Sequence, residues 1–285
     1  MKIVRYNEFI LEKYDKEDDT RTSVIKADSI IDYLNENVSW YMDNIKTIEP
    51  IWRGIEGSKY WVANDKSSDI NYEPILKVSP SKFIRRSKNT YNFYIELLDY
   101  SPYWLDYPKR SESIICSTDN NYAENYGYLY RVIPLKENSK ISVCSSQDVF
   151  DSFEYLSDKI NTISGIGKEN IASFNTWLRD TFELHFDSGY EEMLDKMNDV
   201  IEDIAFNDNE LSHEFRHYVE ELSGQFIDDL EKWMSPIKNG FSLIKYNRNT
   251  TGKDLIPFRE VYTDADCILV LESEFRKELE NYEKD

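Results

Sequence analysis

SESIICSTDNNYAENYGYLYRVIP, residues 111–134, carries the reading of the fold. Ile114, Ile115 and Cys116 form a short apolar run that ends in the hydroxyls of Ser117 and Thr118. Polar residues follow, with a short helix expected from Asn121 to Tyr126 and Ala123 on its inner side. Gly127 then opens YLYRVIP, a β-branched and aromatic stretch typical of a strand. The same texture recurs on both sides, in IWRGI (51–55), EPILKV (73–78), KISVCS (140–145), FSLIKY (241–246) and CILVLE (267–272). Gly, Pro, Asn and Ser break these runs, as turns between strands require.

Other segments have helical spacing. Ile30, Ile31, Leu34, Val38, Tyr41 and Ile45 recur every three to four residues, which predicts one or two helices over 23–45. NTYNFYIELLD (89–99) reads as a helix, and Glu274–Tyr282 as the closing one. Periodic segments at 168–184, 189–206 and 209–234 make up a helical block. Strands that resume after such a block imply a β-rich domain with a helical insertion. The expected organisation is α+β: an N-terminal helical segment (1–48), a core from 49–150 plus 237–285, and a helical insertion at 151–236.

Charge follows these divisions. The 285 residues hold 34 Lys and Arg against 54 Asp and Glu, a formal net charge of −20. Residues 151–236 contain 21 acids and 6 bases, whereas residues 50–115 contain 10 bases and 8 acids. An evenly acidic surface would repel phosphate backbones. Here the repulsion is concentrated on the helical block, which suits a basic protein partner, and the strand-rich part can meet an anion. The 14% aromatic content excludes a disordered polymer. No run approaches the roughly 18 apolar residues of a membrane span. Cys116, Cys144 and Cys267 show no paired spacing, which suits reduced thiols in a cytosol.

His213-Glu214-Phe215-Arg216-His217 is an HExxH sequence, the spacing that places two imidazoles on one helical face for zinc, with a glutamate as base. A zinc hydrolase is therefore one alternative. At about 100° per residue, His213, His217, Glu220, Gly224 and Glu231 gather within about 40° of one direction. Leu211, Phe215, Leu222, Phe226 and Trp233 gather opposite them. The apolar stripe must face a core, which leaves the histidines on a solvated acidic face. Arg216 is a charge where zinc proteases avoid one, no third ligand follows, and no metal site is assigned. His185 stands alone and reads as structural.

Three features of the strand-rich part bear on chemistry. Arg53, inside IWRGI, is costly to bury without acceptors for its five donors, and Gly54 lets a ligand or a neighbouring backbone approach. The alternative for Arg53 is a snorkelling surface residue. Ser117 and Thr118 end a strand, where hydroxyls can bond a ribose or support a catalytic group; the alternative is that they cap the following helix. Glu260, in PFREVY (257–262), precedes an apolar residue just before the last strong strand and can point into a cleft; the alternative is a solvated loop carboxylate.

Arginine on a first strand, Ser-Thr at a strand end before a short helix, and glutamate ahead of a late strand together resemble the R-S-E class of ADP-ribosyltransferases. The stretches TYNFYIELLDYSPYWLDYPKRSESIICSTDNNYAENYGYLYRVIP and KISVCSSQDVFDSF are also similar to an ADP-ribosyltransferase-like group of T4-like phages. The similarity covers about 49–153 and 240–271. In keeping with it, Met1-Lys2 followed by Phe9, Ile10, Leu11 and Glu12 resembles the capsid-targeting segment of internal proteins of those phages; an amphipathic first helix is the alternative. The resemblance implies a core of two small, mainly antiparallel sheets around an NAD cleft, an enzyme of the host cytoplasm packaged in a phage head, and a host protein or nucleic acid as acceptor. It further implies that Arg53 holds a phosphate or ribose of NAD, that the Gly54 backbone meets the nicotinamide amide, and that Ser117 and Thr118 brace the nicotinamide ribose and orient Glu260. Glu260 would bond the ribose 2′-hydroxyl, and the rings of Tyr122 and Tyr126 would stack on nicotinamide or pack in the core. Two positions depart from the pattern. Phe258 stands two before Glu260, where arginine-modifying relatives carry glutamate, and Asp119 replaces the last serine of Ser-Thr-Ser.

Basic residues at 81–88 (SKFIRRSK) and Lys109-Arg110 offer contacts to a nucleic acid or to the phosphates of NAD; a solvated loop face is the alternative. A reading from another class is a non-catalytic protein that presents its acidic helices to a basic host surface. The helical wheel separates the zinc reading from the rest. Metal analysis of the purified chain is expected to find zinc well below one equivalent, whereas stoichiometric zinc lost in His213→Ala would restore it.

Overall fold

The computed structural model describes residues 22–55, 73–80, 92–156, 158–159, 226–282 and 284. The chain divides into two compact units, one of residues 1–88, 107–148 and 242–285, the other of residues 89–106 and 149–241. The second unit is wider than the insertion expected at 151–236, because it also takes residues 89–106, 149–150 and 237–241, which the sequence assigns to the core.

Among the described residues the first unit is built on a sheet of nine strands: β1 (Thr22–Val24), β2 (Ile51–Ile55), β3 (Ile75–Val78), β4 (Ile114–Ser117), β5 (Tyr128–Pro134), β6 (Ser139–Val143), β7 (Ser242–Tyr246), β8 (Glu260–Thr263) and β9 (Cys267–Leu271). Their order across the sheet is β1-β3-β9-β5-β2-β4-β8-β6-β7, and every pairing is antiparallel. The two small sheets expected from the resemblance are thus one continuous sheet. It is nearly divided, however. β2 and β5 pair over five positions, but β2 and β4 share only Trp52 opposite Ser117. One backbone pair joins a five-strand ladder to a four-strand ladder.

Strands expected from β-branched runs formed where the runs lie. Two others did not show in the pattern. Thr22–Val24 pairs with β3, so the first described element is a strand and not the start of a helix. Glu260–Thr263 is a strand because β4 and β6 supply partners on both its sides, although EVYT is too short to read alone. β9 is buried at every position, as expected for an interior strand with an unbroken apolar run.

Helices α1 (Ile30–Asn37) and α2 (Ser39–Met42) follow β1. Ile30, Ile31 and Leu34 are buried on α1, and Ser29 caps it through the backbone N–H of Asp32. Helix α6 (Glu272–Tyr282) docks beside it through Glu278, whose carboxylate accepts from Ser29 Oγ (3.1 Å), Ile30 N (2.8 Å) and Ile31 N (3.2 Å). A carboxylate at a helix N-terminus meets both the unpaired N–H groups and the positive end of the dipole.

Beneath these helices Arg131 of β5 is buried. Its Nε and Nη2 donate to Glu272 at 3.0 and 2.9 Å, and Nη1 donates to Tyr41 Oη at 3.3 Å. The guanidinium lies 5.0 Å from the ring centres of both Trp52 and Phe275. Burial works against its charge, but Tyr41 and Glu272 more than offset it and hold the guanidinium above its ordinary pKa.

The second unit holds α3 (Asn92–Tyr100) and α5 (Phe226–Trp233). Trp104 packs edge-on against Phe241 (4.9 Å) and Phe153 (6.3 Å), and its Nε1 donates to Met234 O at 3.1 Å. Asn239 ties two turns together, accepting from Tyr155 N and donating to the carbonyls of Trp233 and Ser235. Most of the acidic block, with His185, His213, Glu214 and His217, lies outside the described residues, as do Phe9–Glu12 and the basic run 81–88.

Removing one partner from the Arg131–Glu272 pair strands a buried charge, which costs about 3–5 kcal/mol. Glu272→Ala is expected to destabilise the first unit by that amount, read as a lower urea midpoint with an unchanged slope.

Candidate functional site

Adjacent strands carry the three residues that the sequence singles out. Ser117, the last residue of β4, faces Glu260, the first residue of β8, and on its other side faces Trp52 of β2. Facing residues in a ladder project to one side of the pleat, so Trp52, Ser117 and Glu260 form a row. Arg53 comes next along β2, in the opposite phase. Its guanidinium nevertheless reaches β4, where Nη1 donates to the Ile115 carbonyl at 3.0 Å. That contact falls where the β2–β4 ladder has already ended, so the side chain bonds a carbonyl past the last backbone pair.

Gly54 is explained by the helix that follows β4. In α4 (Asn120–Glu124) the Ala123 carbonyl would stand 2.0 Å from a Cβ at position 54, and Tyr126 Cβ would stand 2.9 Å from it. A neighbouring backbone therefore occupies the space that the absent side chain leaves. Helix α4 is capped by Asp119, whose Oδ1 accepts from Tyr122 N at 2.7 Å. The cap is neither Ser117 nor Thr118. Ser117 Oγ accepts from Asp119 N at 3.0 Å, which steadies the capping residue.

Thr118 does different work. Its backbone N–H donates to Arg259 O (3.0 Å), and its hydroxyl donates to Ile256 O (2.8 Å) and accepts from Arg259 N (3.0 Å). One threonine thereby holds the segment that leads into Glu260. Within that segment Phe258 has a φ of 61°, a left-handed conformation uncommon for a bulky residue, and it is 56% exposed. Glu260 itself is fixed through its backbone, since its N donates to Ser146 O and its O accepts from Cys144 N, each at 2.9 Å.

The Glu260 side chain is 11% exposed and not a solvated loop carboxylate. Its Oε1 lies 2.9 Å from Arg110 Nη2, and the Arg110 side chain is 12% exposed. Arg110 also lies over the Tyr262 ring, 5.5 Å from its centre. Burial opposes the guanidinium charge, but Glu260, Cys144, Tyr262 and Asp148 together raise its pKa above the ordinary value. Lys109, its neighbour, is 40% exposed and pairs with Glu112 at 3.5 Å. The two halves of the Lys-Arg dipeptide thus have unlike roles. Two adjacent basic residues carry no sequence signal for which one is buried, so Arg110 was legible only as part of a basic cluster.

Tyr122 sits in the middle of α4 and Tyr126 two residues past its end, with ring centres 5.5 Å apart and edges set against faces. Tyr126 Oη donates to Tyr122 Oη at 2.9 Å. Burial, reinforced by that hydrogen bond, pushes the Tyr122 hydroxyl well above the ordinary phenol range, and burial raises Tyr126 as well. Both are neutral donors and acceptors at physiological pH.

The site therefore combines a half-buried guanidinium, two strand-end hydroxyls, a paired carboxylate and a hydrogen-bonded ring pair. Among the described residues no group of three or more His, Cys, Asp and Glu side chains is placed to hold a metal. No helix among them is long and apolar enough to cross a membrane. No family model, curated protein or solved structure matches the chain.

Two substitutions test this local architecture. Gly54→Ala forces a methyl group onto the Ala123 carbonyl and is expected to cost about 1–3 kcal/mol, seen as a melting temperature lower by several degrees. Thr118→Val keeps the shape but leaves Ile256 O and Arg259 N without their hydroxyl partner. It is expected to cost about 1–3 kcal/mol and to speed amide exchange at Arg259.

Proposed function

We propose that the chain is an NAD-dependent mono-ADP-ribosyltransferase whose acceptor is a host macromolecule, protein or nucleic acid. The observation that carries this reading is the pairing of Ser117 with Glu260 across β4 and β8, with Arg53 on the neighbouring strand β2, in the opposite phase, where its guanidinium reaches the Ile115 carbonyl of β4. Positions far apart in the chain converge in the strand order β2-β4-β8, the order in which the resemblance to the R-S-E class needs its arginine, serine and glutamate. The near-division of the sheet between β2 and β4 supports the split two-sheet core of that class.

The donor and acceptor set suits NAD. Arg53 supplies a planar fork for a phosphate or a ribose. Ser117 supplies a hydroxyl at the position opposite Glu260 on the next strand, while the Thr118 hydroxyl is committed to holding the backbone that presents the carboxylate. Tyr122 and Tyr126 supply ring faces and neutral hydroxyls, and the Cβ of Tyr126 stands beside Gly54. In the reaction the bond between the anomeric carbon and the nicotinamide nitrogen breaks, and nicotinamide leaves with the electron pair. The acceptor's nucleophile bonds that carbon and releases its proton. Positive charge builds at the anomeric carbon in the transition state, and a preorganised carboxylate at the 2′-hydroxyl stabilises it more than it stabilises bound NAD. Glu260 is the catalytic residue in this reading. Phe258, two positions earlier, carries no group that could take a proton from an arginine acceptor, which favours another acceptor chemistry.

Incubation of the full chain with labelled NAD and host lysate tests the reading. Label transfer or nicotinamide release is expected, falling by about 10²–10³-fold in Glu260→Gln, as for loss of one transition-state contact. Equal rates for the two proteins would remove the enzyme reading and leave a binding protein.

A further inference from the structure

The ion pair at Glu260 has a geometry that the R-S-E pattern does not account for. Arg110 comes from the connection before β4, where Glu112 N donates to Lys109 O and Ser113 N donates to Arg110 O. Ser113 Oγ closes the same turn on Lys109 O at 2.6 Å. The backbone of Arg110 is therefore held in a tight turn one strand away from Glu260. Glu260 and Tyr262 stand two apart on β8 and share one face of the pleat. Arg110 spans both, with Nη2 at 2.9 Å from the carboxylate and the guanidinium over the phenol ring. Its Nε is buried and finds no hydrogen-bond acceptor among the described residues. An arginine chosen for stability alone would be expected to satisfy its donors, because burying them unpaired is costly. Here the geometry serves one carboxylate.

We propose that Arg110 is the positioning residue of Glu260, holding its carboxylate in a single rotamer in the row with Ser117. The inference rests on the NAD reading above and adds a residue to it. A carboxylate free to rotate about its side-chain torsions would lose the alignment that the row provides, and a misplacement of 1 Å can cost about 100-fold in rate. The groups around the pair are Tyr262 on β8, Cys144 and Asp148 after β6, and Tyr122 and Tyr126 at α4. The tyrosines are neutral near physiological pH, and Asp148 is a like charge to Glu260. Arg110 is the cation among them. An adjacent cation favours the ionised carboxylate, so its removal must move the titration of Glu260 upward.

The test uses the full chain labelled with ¹³C at glutamate side-chain carboxyls, the Glu260 resonance being assigned by its loss in Glu260→Gln. In Arg110→Met the Glu260 titration midpoint is expected to rise by about 1–3 pH units, with Arg110→Lys in between. Nicotinamide release is expected to fall by about 10- to 100-fold in kcat, with KM for NAD nearly unchanged and the acid limb of the profile moved upward. Arg110→Lys, which keeps the charge and the fold, is expected to recover part of the rate. An unmoved Glu260 titration, or a raised KM at constant kcat, would overturn the positioning role while leaving the NAD reading in place. A moved titration in a chain whose wild type releases no more nicotinamide than Glu260→Gln would overturn the NAD reading, and the role of Arg110 in it, leaving a structural ion pair.

Discussion

A single backbone pair, Trp52 opposite Ser117, is the constraint on which the first unit depends. On one side of it lie β1, β3, β9, β5 and β2, on the other β4, β8, β6 and β7. Two well-paired ladders that touch at one position leave an edge between them, and unpaired strand groups need partners. Arg53 supplies one by donating to Ile115 O. Helix α4 reaches the same seam, with its Ala123 carbonyl against the bare Cα of Gly54. A larger residue at 54 would push the helix away, and with it Asp119 and the two tyrosines.

The two charged pairs of this unit illustrate different uses of burial. Arg131 is forked onto Glu272, bonded to Tyr41 and flanked by Trp52 and Phe275, so most of its capacity is met. That arrangement ties β5 to the start of α6 and to α2. Arg110 meets Glu260 through one nitrogen and leaves another unmatched. The first is what a scaffold requires, namely satisfied charges with little freedom. The second sits at the strand row that the proposed chemistry uses, where an under-satisfied buried group is a reason to look for function.

Strain gathers at the same place. The segment 256–259 is clasped by Thr118 on one side and runs into a strand whose first residue, Glu260, is pinned by Cys144 and Ser146. Phe258 adopts its left-handed conformation between these fixed points, which is how such a conformation persists without glycine. The consequence is a glutamate whose backbone has almost no latitude, leaving only its side-chain torsions to be settled by Arg110.

Much of this was legible before folding, and the limits have physical causes. IWRGI, YLYRVIP and CILVL announced strands because β-branched and aromatic residues suit a pleated, buried surface. Arg53, Ser117 and Glu260 stood out because their types fit anion, hydroxyl and carboxylate chemistry in that order along the chain. Three things were not legible. EVYT and Thr22–Val24 are strands only because neighbours complete their ladders. The cap of α4 fell to Asp119 because backbone geometry, not residue type, decides which of three capping residues sits at the helix start. Arg110 looked like half of a basic pair. Residue types and their periodicity are properties of the chain itself, so the sequence alone determined the strand-rich core and its chemical inventory. Which residue faces which across a ladder, and which of two adjacent cations is drawn to a buried carboxylate, depend on contacts between distant segments. Only the tertiary structure could decide those.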